Sequence, residues 1–342
     1  MKWIIAAPFI TTAEDRWLGA FVPGSKHGFT TLPTDEIVRS GPQTSARGWK
    51  GHFSHAWRAL KLARRQPGTG LITVFPQLAI AAGLLAMLPG RRVRIIAWTF
   101  NIGTLPRGLK RILSILALRR VDAVIVHALS EVEDYSRHFC VPPERVVFVP
   151  LQRIIPDVGE ATESTPPYAI SLGSANRDYR LLFEALKIFP IRTIVVASEA
   201  AIAGLEVPPC VEVMSGLSLD KCHQLLTSAR LSIIPVANPK TASGQVTLLN
   251  SMGLGRATII TRCPGSLDYV IDGETARLVQ PGDAVELSQA LRQLWEDTVL
   301  RDRLGRGGRD HVARNYSDAA IGRLMGQVCD AVEAGQPPRI TR

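Results

Sequence analysis

Short apolar runs alternate with segments of helical periodicity along the first half of the chain. The runs that predict buried strands are KWIIAAPFI (2–10), LITVFP (71–76), VRIIAWTF (93–100), VDAVIVH (121–127) and RVVFVPL (145–151). The segments that predict helices are FSHAWRALKLARRQ (53–66), LAIAAGLLAMLPG (78–90), LKRILSILALRR (109–120) and SEVEDYSRHF (130–139). This order is typical of a parallel sheet covered by helices.

The segment QRIIPDVGEATESTPP (152–167) interrupts the pattern, since it is rich in Pro, Ser, Thr and acidic residues and has no periodicity. We interpret it as a linker. Beyond it the alternation restarts, and it includes the helices RDYRLLFEALKIF and LDYVID and a C-terminal stretch that reads as helical with glycine breaks. The sequence therefore predicts an N-terminal Rossmann-like domain at 1–155 and a second one at 168–325. The tail 305–335 is a candidate to cross back to the first domain, and two such domains imply a cleft between them.

Composition supports a large folded protein in a reducing compartment. Of the 342 residues 46% are hydrophobic, so the chain can bury two cores. Its five cysteines form no CxxC pair, which favours the cytoplasm and argues against a disulfide framework or a zinc site. The apolar run at the start is too short to span a bilayer and is expected to form the first buried strand instead of a signal peptide.

The net charge of +10 lies entirely in the first half. Residues 1–160 hold 21 lysines and arginines against 11 acidic residues, and residues 161–342 hold 19 of each. A basic domain suits an anionic membrane surface or nucleic acid, but no nucleic-acid-binding motif is present. An anionic membrane is therefore the favoured partner, reached through the basic amphipathic helices 53–66 and 109–120, with a generally basic proteome as the alternative.

Two motifs in the second half follow predicted strands. In SLGSANRDYRLLFEAL (171–186) a strand ends at Gly173, and Arg177 precedes the next helix, where a guanidinium can clamp a diphosphate. The alternative is a surface residue paired with Asp178. In ASGQVTLLNSMGLG (242–255) Ser243 and Gly244 precede a helix that begins near Gln245, so its first N–H groups can bind a phosphate. A helix cap without a ligand is the alternative.

Together with VEVMSGLSLDKCHQLL and the turn-rich CPGSLDYVIDGETARLVQPGD (263–283), these motifs resemble the nucleotide-binding half of the retaining family-4 glycosyltransferases, which have the two-domain GT-B fold. The resemblance covers most of residues 168–330; the first half fits only in strand order and length. It implies a nucleoside-diphosphate sugar as donor, a reaction that is independent of metal, and no cofactor. The donor-binding residues that it implies are Gly173, Ser174, Arg177, Gly216, Leu217, Ser243, Gly244, Gln245, Val246 and Asn250.

The chain departs from that family at several positions. The family's paired glutamates fall on Ala242 and Asn250, and the second of them, which binds the donor ribose, is replaced by an uncharged amide. Of the family's arginine and lysine that bind phosphate only Arg177 remains, because the loop at Gly173 is shortened. Asp268 stands in place of a third glutamate.

Acceptor-side candidates come from the first half. The family's histidine after the strand RIIAWTFN is absent, and Thr99 and Asn101 stand there instead. His127 ends the next strand, VDAVIVH, and is a candidate to contact either the acceptor or the donor. Turn and core roles are the alternatives for all three.

The predicted function is retaining transfer of a sugar to a glycan or polyprenyl-linked acceptor in polysaccharide or glycoconjugate biosynthesis, at the inner face of the membrane. Arg177, Asn101, Thr99 and His127 are its catalytic candidates. No DxD pattern or histidine–carboxylate cluster in the sequence suggests a metal. Two alternatives stay open: a glycosyltransferase-like subunit without turnover, which the changes at Ala242 and Asn250 favour, and a sugar-nucleotide 2-epimerase, which the loss of carboxylates disfavours.

Overall fold

The structure is a computed structural model that describes residues 1–24, 26–34, 46–153 and 163–340. Its first sheet has six parallel strands in the order β2-β1-β3-β4-β5-β6. The strands are β1 (Lys2–Ala6), β2 (Gly28–Leu32), β3 (Thr69–Val74), β4 (Ile95–Trp98), β5 (Ala123–Val126) and β6 (Val146–Phe148). The strand order reverses between β1 and β3, because β2 pairs with the far side of β1.

One face of this sheet is covered by α1 (Ala46–Arg65), α2 (Pro76–Leu85), α3 (Gly108–Leu118) and α4 (Leu129–Phe139). Small residues let the helices approach each other closely. A Cβ on Gly83 of α2 would lie 2.3 Å from the carbonyl oxygen of Ala117 in α3, so only glycine allows this packing. Two 3₁₀ helices, Trp17–Phe21 and Pro143–Arg145, complete this part of the chain.

The second sheet also has six parallel strands, in the order β12-β11-β10-β7-β8-β9. Its strands are β7 (Ala169–Leu172), β8 (Thr193–Val196), β9 (Val211–Met214), β10 (Leu231–Ile234), β11 (Ala257–Thr261) and β12 (Arg277–Val279). Its helices are α5 (Tyr179–Ile188), α6 (Glu199–Ile202), α7 (Leu219–Ser228), α8 (Gln245–Gly253), α9 (Pro264–Leu267), α10 (Ala284–Glu296) and α11 (Thr298–Asn315). The order reverses between β7 and β10, the arrangement of a doubly wound sheet.

The chain divides into two compact units, residues 1–150 with 318–342 and residues 151–317. The last helix, α12 (Asp318–Glu333), belongs to the first unit. Its Ile321, Met325 and Val328 pack with Trp3 and Ile5 on the sheet face opposite α1–α4. The residues 154–162 of the predicted linker lie outside the described residues.

Three sequence predictions differ from the structure. Helix α1 begins at Ala46, seven positions before the apolar periodicity becomes clear at Phe53. The predicted helix LDYVID is wrong, since the helix there is α9 and ends at Leu267. The glycines of α11 do not break it: a Cβ on Gly305 would lie 2.3 Å from the carbonyl oxygen of Gly255, so this glycine permits a close backbone contact inside a continuous helix.

No helix within the described ranges is both long enough and apolar enough to span a bilayer.

Candidate functional site

The strongest candidate site lies in the second unit, where β7 and β10 are neighbours and the strand order reverses. Ligands of open α/β sheets bind beyond the carboxyl ends of the strands at this point, because the connections diverge there and leave a crevice. The loop 173–178 follows β7, and the loop 235–244 follows β10. These two loops carry five of the predicted donor-binding residues, Gly173, Ser174, Arg177, Ser243 and Gly244, and two more, Gln245 and Val246, open α8.

Arg177 joins the two loops. Its Nε donates to the carbonyl of Leu172 at 3.2 Å, and its Nη1 donates to the carbonyl of Ala175 at 3.1 Å. Its Nη2 donates to Oγ1 of Thr247, in the first turn of α8, at 3.1 Å. Burial lowers the pKa of Arg177 from its ordinary value, but a guanidinium stays protonated in proteins. A charged group with two further N–H donors is thus fixed at the crevice.

Asp178 does not pair with Arg177 among the described residues. It is the N-cap of α5, and its carboxylate accepts a hydrogen bond from the Leu181 N–H at 3.0 Å. The alternative in which Asp178 holds Arg177 at the surface therefore does not describe this loop.

Asn176 is a site residue that the sequence analysis missed. Its backbone is left-handed, with φ 54°. Its side-chain oxygen accepts from the Asn238 N–H at 2.8 Å, and its Nδ2 donates to the Asn238 carbonyl at 3.2 Å and to Thr241 Oγ1 at 3.1 Å. Asn176 therefore fastens the β7 loop to the β10 loop. Asparagine tolerates a positive φ, and this was the one available signal.

Gly244 sets the direction in which α8 begins. Its φ of 85° and ψ of −12° lie in the left-handed region. A Cβ there would lie 3.0 Å from Cγ2 of Ile234. The first N–H groups of α8 have no carbonyl within the helix to pair with, and they carry partial positive charge. This end of the helix fits the predicted phosphate-binding role.

Helix α9 packs against the segment before Gly244. A Cβ on Gly265 would lie 2.5 Å from the backbone nitrogen of Ser243, so glycine is required for this contact. The buried Cys263 thiol lies 3.8 Å from the Ser243 carbonyl oxygen. Ser266 Oγ accepts from the Cys263 N–H at 3.0 Å and closes the turn. The Pro264-Gly265 pair is therefore part of the support of the site.

Asn250 and Ser251 are neighbours on α8, but their side chains lie in different environments. Ser251 Oγ donates to Ser232 Oγ of β10 at 2.8 Å in the buried interior. The Asn250 side chain is half-buried and makes no hydrogen bond to any of the residues that the structure describes. Its amide is therefore available to a ligand, and its ribose-binding role stays a prediction.

Ser174 contacts the loop after the neighbouring β8, and the remaining predicted donor-binding residues, Gly216 and Leu217, follow β9. Ser174 Oγ accepts from the Ser198 N–H, after β8, at 2.7 Å. Gly216 follows β9 with a left-handed φ of 66°, and Leu217 comes directly before the Ser218 cap of α7. Asp268 is the C-cap of α9, and its carbonyl oxygen lies 3.5 Å from the Tyr316 hydroxyl.

The acceptor-side candidates Thr99 and Asn101 lie in the first unit, directly after β4. Thr99 has a left-handed φ of 55°, and Asn101 accepts from the Gly103 N–H at 3.0 Å. The Ile102 N–H donates to the Tyr135 hydroxyl at 3.2 Å, which fixes this loop to α4. Both side chains are accessible to an acceptor, and that role stays a prediction.

His127 is fully buried at the end of β5. Its Nδ1 lies 2.6 Å from the Val149 carbonyl oxygen, which makes Nδ1 the protonated nitrogen. Burial lowers the pKa of His127 to about 4, so the ring is neutral near pH 7. The geometry gives His127 a core role at the strand end, and its contact with acceptor or donor stays a prediction.

Glu131 is a buried carboxylate that sequence periodicity did not single out. Its Oε2 accepts from the N–H groups of His127 and Ala128 at 3.2 and 3.0 Å, and its Oε1 accepts from the Tyr135 hydroxyl at 3.2 Å. Burial raises the pKa of Glu131 to about 6. The carboxylate therefore links the end of β5, through Tyr135, to the loop that carries Asn101.

One histidine–carboxylate cluster with metal-ligand spacing occurs within the described part of the chain. It consists of His27, Asp330 and Glu333 in the first unit, with His27 Nε2 3.1 Å from the Asp330 carboxylate. The amino group of Met1 lies 2.9 Å from the Glu333 carboxylate and supplies the positive charge there. These groups form an ion-paired contact between α12 and the start of β2.

Comparison with known proteins agrees with the resemblance seen in the sequence. Residues 182–297 match the family of glycosyl transferases group 1. The chain is 34% identical over 122 residues to the MMP alpha-(1->4)-mannosyltransferase of Mycolicibacterium hassiacum, an alignment that covers 35% of this chain and 29% of that protein. The chain spans between 19% and 29% of the length of the curated relatives that it matches.

Solved structures match nearly the whole chain at low identity. Sucrose-phosphate synthase from Thermosynechococcus elongatus has a TM-score of 0.69 at 15% identity and covers 98% of this chain and 99% of its own. HepE of Anabaena, solved in complex with UDP, has a TM-score of 0.67 at 11% identity, with 96% of this chain and 100% of its own covered. The predicted GT-B fold of two parallel-sheet units is thereby confirmed.

Proposed function

We propose, from the match to group 1 glycosyl transferases and the GT-B order of both sheets, that this chain transfers a sugar from a nucleoside-diphosphate sugar to an acceptor in polysaccharide or glycoconjugate biosynthesis. The observation that carries the proposal is the position of Arg177. Its guanidinium is fixed against the first turn of α8 at the reversal of the second sheet. A cation and a helix N-terminus at one crevice are suited to a diphosphate.

The donor diphosphate would lie between Arg177 and the N–H groups that follow Gly244. Negative charge develops on the diphosphate when the bond to the sugar breaks, and preorganised donors stabilise that charge without moving. Asn250, on the same helix, would accept or donate one hydrogen bond at the ribose hydroxyls. The base would contact backbone near Gly216 and Leu217.

Retention of the anomeric configuration and a reaction without a metal ion or cofactor are part of this proposal. In this mechanism Arg177 and α8 supply the positive electrostatic potential at the departing phosphate. Thr99 and Asn101 would contact the acceptor.

The acceptor proposed is a glycan or polyprenyl-linked sugar at the cytoplasmic face of an anionic membrane. Helix α3 supports the membrane part. Its Leu109 and Ile112 are 70% and 54% exposed and lie one turn apart beside Lys110. An exposed apolar stripe flanked by cations is typical of a helix that lies in a membrane interface.

The decisive experiment on activity is a screen of UDP-glucose, UDP-N-acetylglucosamine and GDP-mannose, first by thermal shift and then by donor hydrolysis and transfer. We expect either the uridine or the guanosine compounds to raise Tm, and we expect the sugar nucleotide that does so to be hydrolysed slowly without acceptor. A rise in Tm without hydrolysis or transfer from any donor would favour the subunit that lacks turnover. If no sugar nucleotide raises Tm, the proposed donor site at Arg177 and the start of α8 is overturned.

The membrane part is tested separately by flotation with anionic and neutral vesicles at low salt. We expect binding to anionic vesicles that is lost in the double variant Leu109→Ser/Ile112→Ser. Leu219→Ser is the matched control, because Leu219 is 80% exposed but lies in the second unit. Equal binding to both vesicle types by the unmodified chain would contradict this part.

A further inference from the structure

Three aromatic side chains lie at the reversal of the first sheet. Phe9 follows β1, Phe75 follows β3, and β1 and β3 are the neighbours between which the strand order reverses. Trp17 lies at the start of the 3₁₀ helix that follows Phe9 along the chain. Doubly wound sheets of this order bind their ligands beyond the carboxyl ends of these two strands. The aromatic platform, Phe9, Trp17 and Phe75, thus occupies the ligand position of the first unit.

The rings stand edge to face. The centroid of Phe9 lies 5.8 Å from that of Trp17 and 6.0 Å from that of Phe75, with interplanar angles of 73° and 72°. Trp17 in turn stands at 89° to Trp98, which is fully buried at the end of β4. The group is therefore anchored in the core at Trp98, while Phe9 keeps 44% of its surface exposed.

The backbone holds these rings in conformations that side chains rarely adopt. Phe75 has φ 73° and ψ 150°, a region almost reserved for glycine, and Trp17 has φ 43°. Thr99, at the end of the adjacent β4, is left-handed as well. The Phe75 N–H donates to the Trp98 carbonyl at 3.0 Å, and the Trp17 N–H donates to the Asp15 carboxylate at 3.0 Å. Strained residues of this kind persist where the surroundings fix them, and they cluster at ligand sites.

We propose that the aromatic platform binds a pyranose ring of the acceptor by stacking. The face of an aromatic ring is electronegative, and the C–H groups on one face of a pyranose carry partial positive charge, so the two attract each other as they exclude water. The hydroxyl of Thr99 and the amide of Asn101, after the next strand, offer hydrogen-bond partners for the sugar hydroxyls. Naming this sugar as the acceptor rests on the proposed function, whereas the stacking site itself does not.

Saturation-transfer difference NMR tests the platform on the full chain. The probes are the methyl glycosides of glucose, galactose, mannose and N-acetylglucosamine, each added without nucleotide. We expect at least one glycoside to receive saturation mainly on the C–H protons of one ring face. Phe9→Ala should weaken its binding about five- to tenfold, the loss of one aromatic contact.

Two variants separate stacking from general effects. Phe9→Tyr keeps an aromatic face and should retain binding, whereas Phe9→Leu keeps apolar surface without that face and should lose it. Phe21→Ala is the matched control, because Phe21 is equally exposed, at 44%, but makes no ring contact within the described residues. An unchanged glycoside affinity in Phe9→Ala, or an equal loss of affinity in Phe21→Ala, would overturn the platform.

Titration of UDP and GDP in parallel keeps this proposal apart from the proposed function. Unchanged nucleotide affinity in Phe9→Ala, together with weaker glycoside binding, supports the platform. Glycoside binding through Phe9 in a chain that binds no nucleotide would also support the platform while it overturns the transferase. No saturation of any glycoside would overturn the platform alone. Binding of neutral vesicles that depends on Phe9 would assign these rings to a lipid and overturn the sugar site.

Discussion

The Nη2 of Arg177 donates a hydrogen bond to Oγ1 of Thr247 over 3.1 Å, and this contact joins the loop after β7 to the first turn of α8. The same guanidinium is held by two carbonyls of its own loop, so it cannot rotate away from the helix end. Thr247 lies one turn from Gly244 and three residues before Asn250 on the same helix. The contact therefore also fixes how far the predicted phosphate contact, Arg177, lies from the predicted ribose contact, Asn250.

Replacing Arg177 by methionine should weaken nucleoside-diphosphate binding by about 10- to 100-fold, the effect of losing hydrogen bonds to a charged group. Isothermal titration with UDP and GDP measures it. Arg180→Met is the matched control, since Arg180 lies three residues on, exposed on α5. Equal losses in both variants would mean that general charge, and not this geometry, attracts the nucleotide.

Gly244→Ala should destabilise the second unit by about 1–3 kcal/mol, because alanine must adopt a left-handed φ and contact Ile234. Gly253→Ala, at the other end of α8, should be neutral or stabilising, since its Cβ would lie 3.6 Å from Val312 in ordinary contact. Thermal unfolding followed by circular dichroism compares the two. A similar Tm in both variants would contradict the strained start of α8.

Asn250→Ala should weaken donor binding by about two- to tenfold, the effect of one neutral hydrogen bond, with Tm unchanged. Asn250→Glu should be tolerated or should improve binding, because it restores a charged acceptor for the ribose. Ser251→Ala is the contrasting variant: it removes the buried bond to Ser232 and should lower Tm instead of affinity. Unaltered donor affinity in Asn250→Ala would mean that the ribose lies elsewhere.

His127 predicts a loss of stability in acid. Its pKa in the folded chain is about 4, below its value of 6.5 in the unfolded chain, so the stabilisation is complete above pH 6.5 and is lost as pH falls towards 4. The loss amounts to about 3 kcal/mol. Tryptophan fluorescence follows the first unit, which holds five of the six tryptophans. His127→Gln should flatten this slope, whereas the exposed control His223→Gln should leave it unchanged.

Glu131 predicts the opposite slope. Its folded pKa of about 6 lies above its unfolded value of 4.5, so its contribution is complete below pH 4.5 and is lost as pH rises through 6. The change is about 2 kcal/mol. Urea unfolding at pH 4.5 and pH 7 measures this change, and Glu131→Gln should lack it, so that the variant loses less stability between the two pH values than the unmodified chain does. The same difference with and without Glu131 would mean that this carboxylate titrates normally.

The sequence predicted the strands and the crevice of the second unit because apolar runs and turn residues signal them locally. Gly173 follows such a run directly, and Arg177 and Gly244 lie in the loops that follow two of these runs. β2 was missed, since GFTTL is short and carries polar residues at the sheet edge. The helix LDYVID was predicted wrongly because its apolar spacing reflects burial of Tyr269 in a turn.

Contacts between segments that are distant in the sequence could not be predicted, because no local pattern signals them. Asn176 binds residues more than 60 positions away, and Gly265 supports Ser243 across 22 positions. Phe9, Trp17 and Phe75 read in the sequence only as apolar residues, since neither their strand-end positions nor their backbone angles follow from periodicity. Glu131 was likewise indistinguishable from the exposed acids of its helix.

The placement of α12 has a consequence for biosynthesis of the chain. Trp3 and Ile5 are covered by Ile321, Met325 and Val328, which follow them by more than 300 positions and are synthesised after the whole second unit. On the ribosome the second unit can therefore complete its core before the first one does, although protein domains usually fold in the order of their synthesis. Until α12 emerges, one face of the first sheet exposes an apolar surface to which a chaperone can bind.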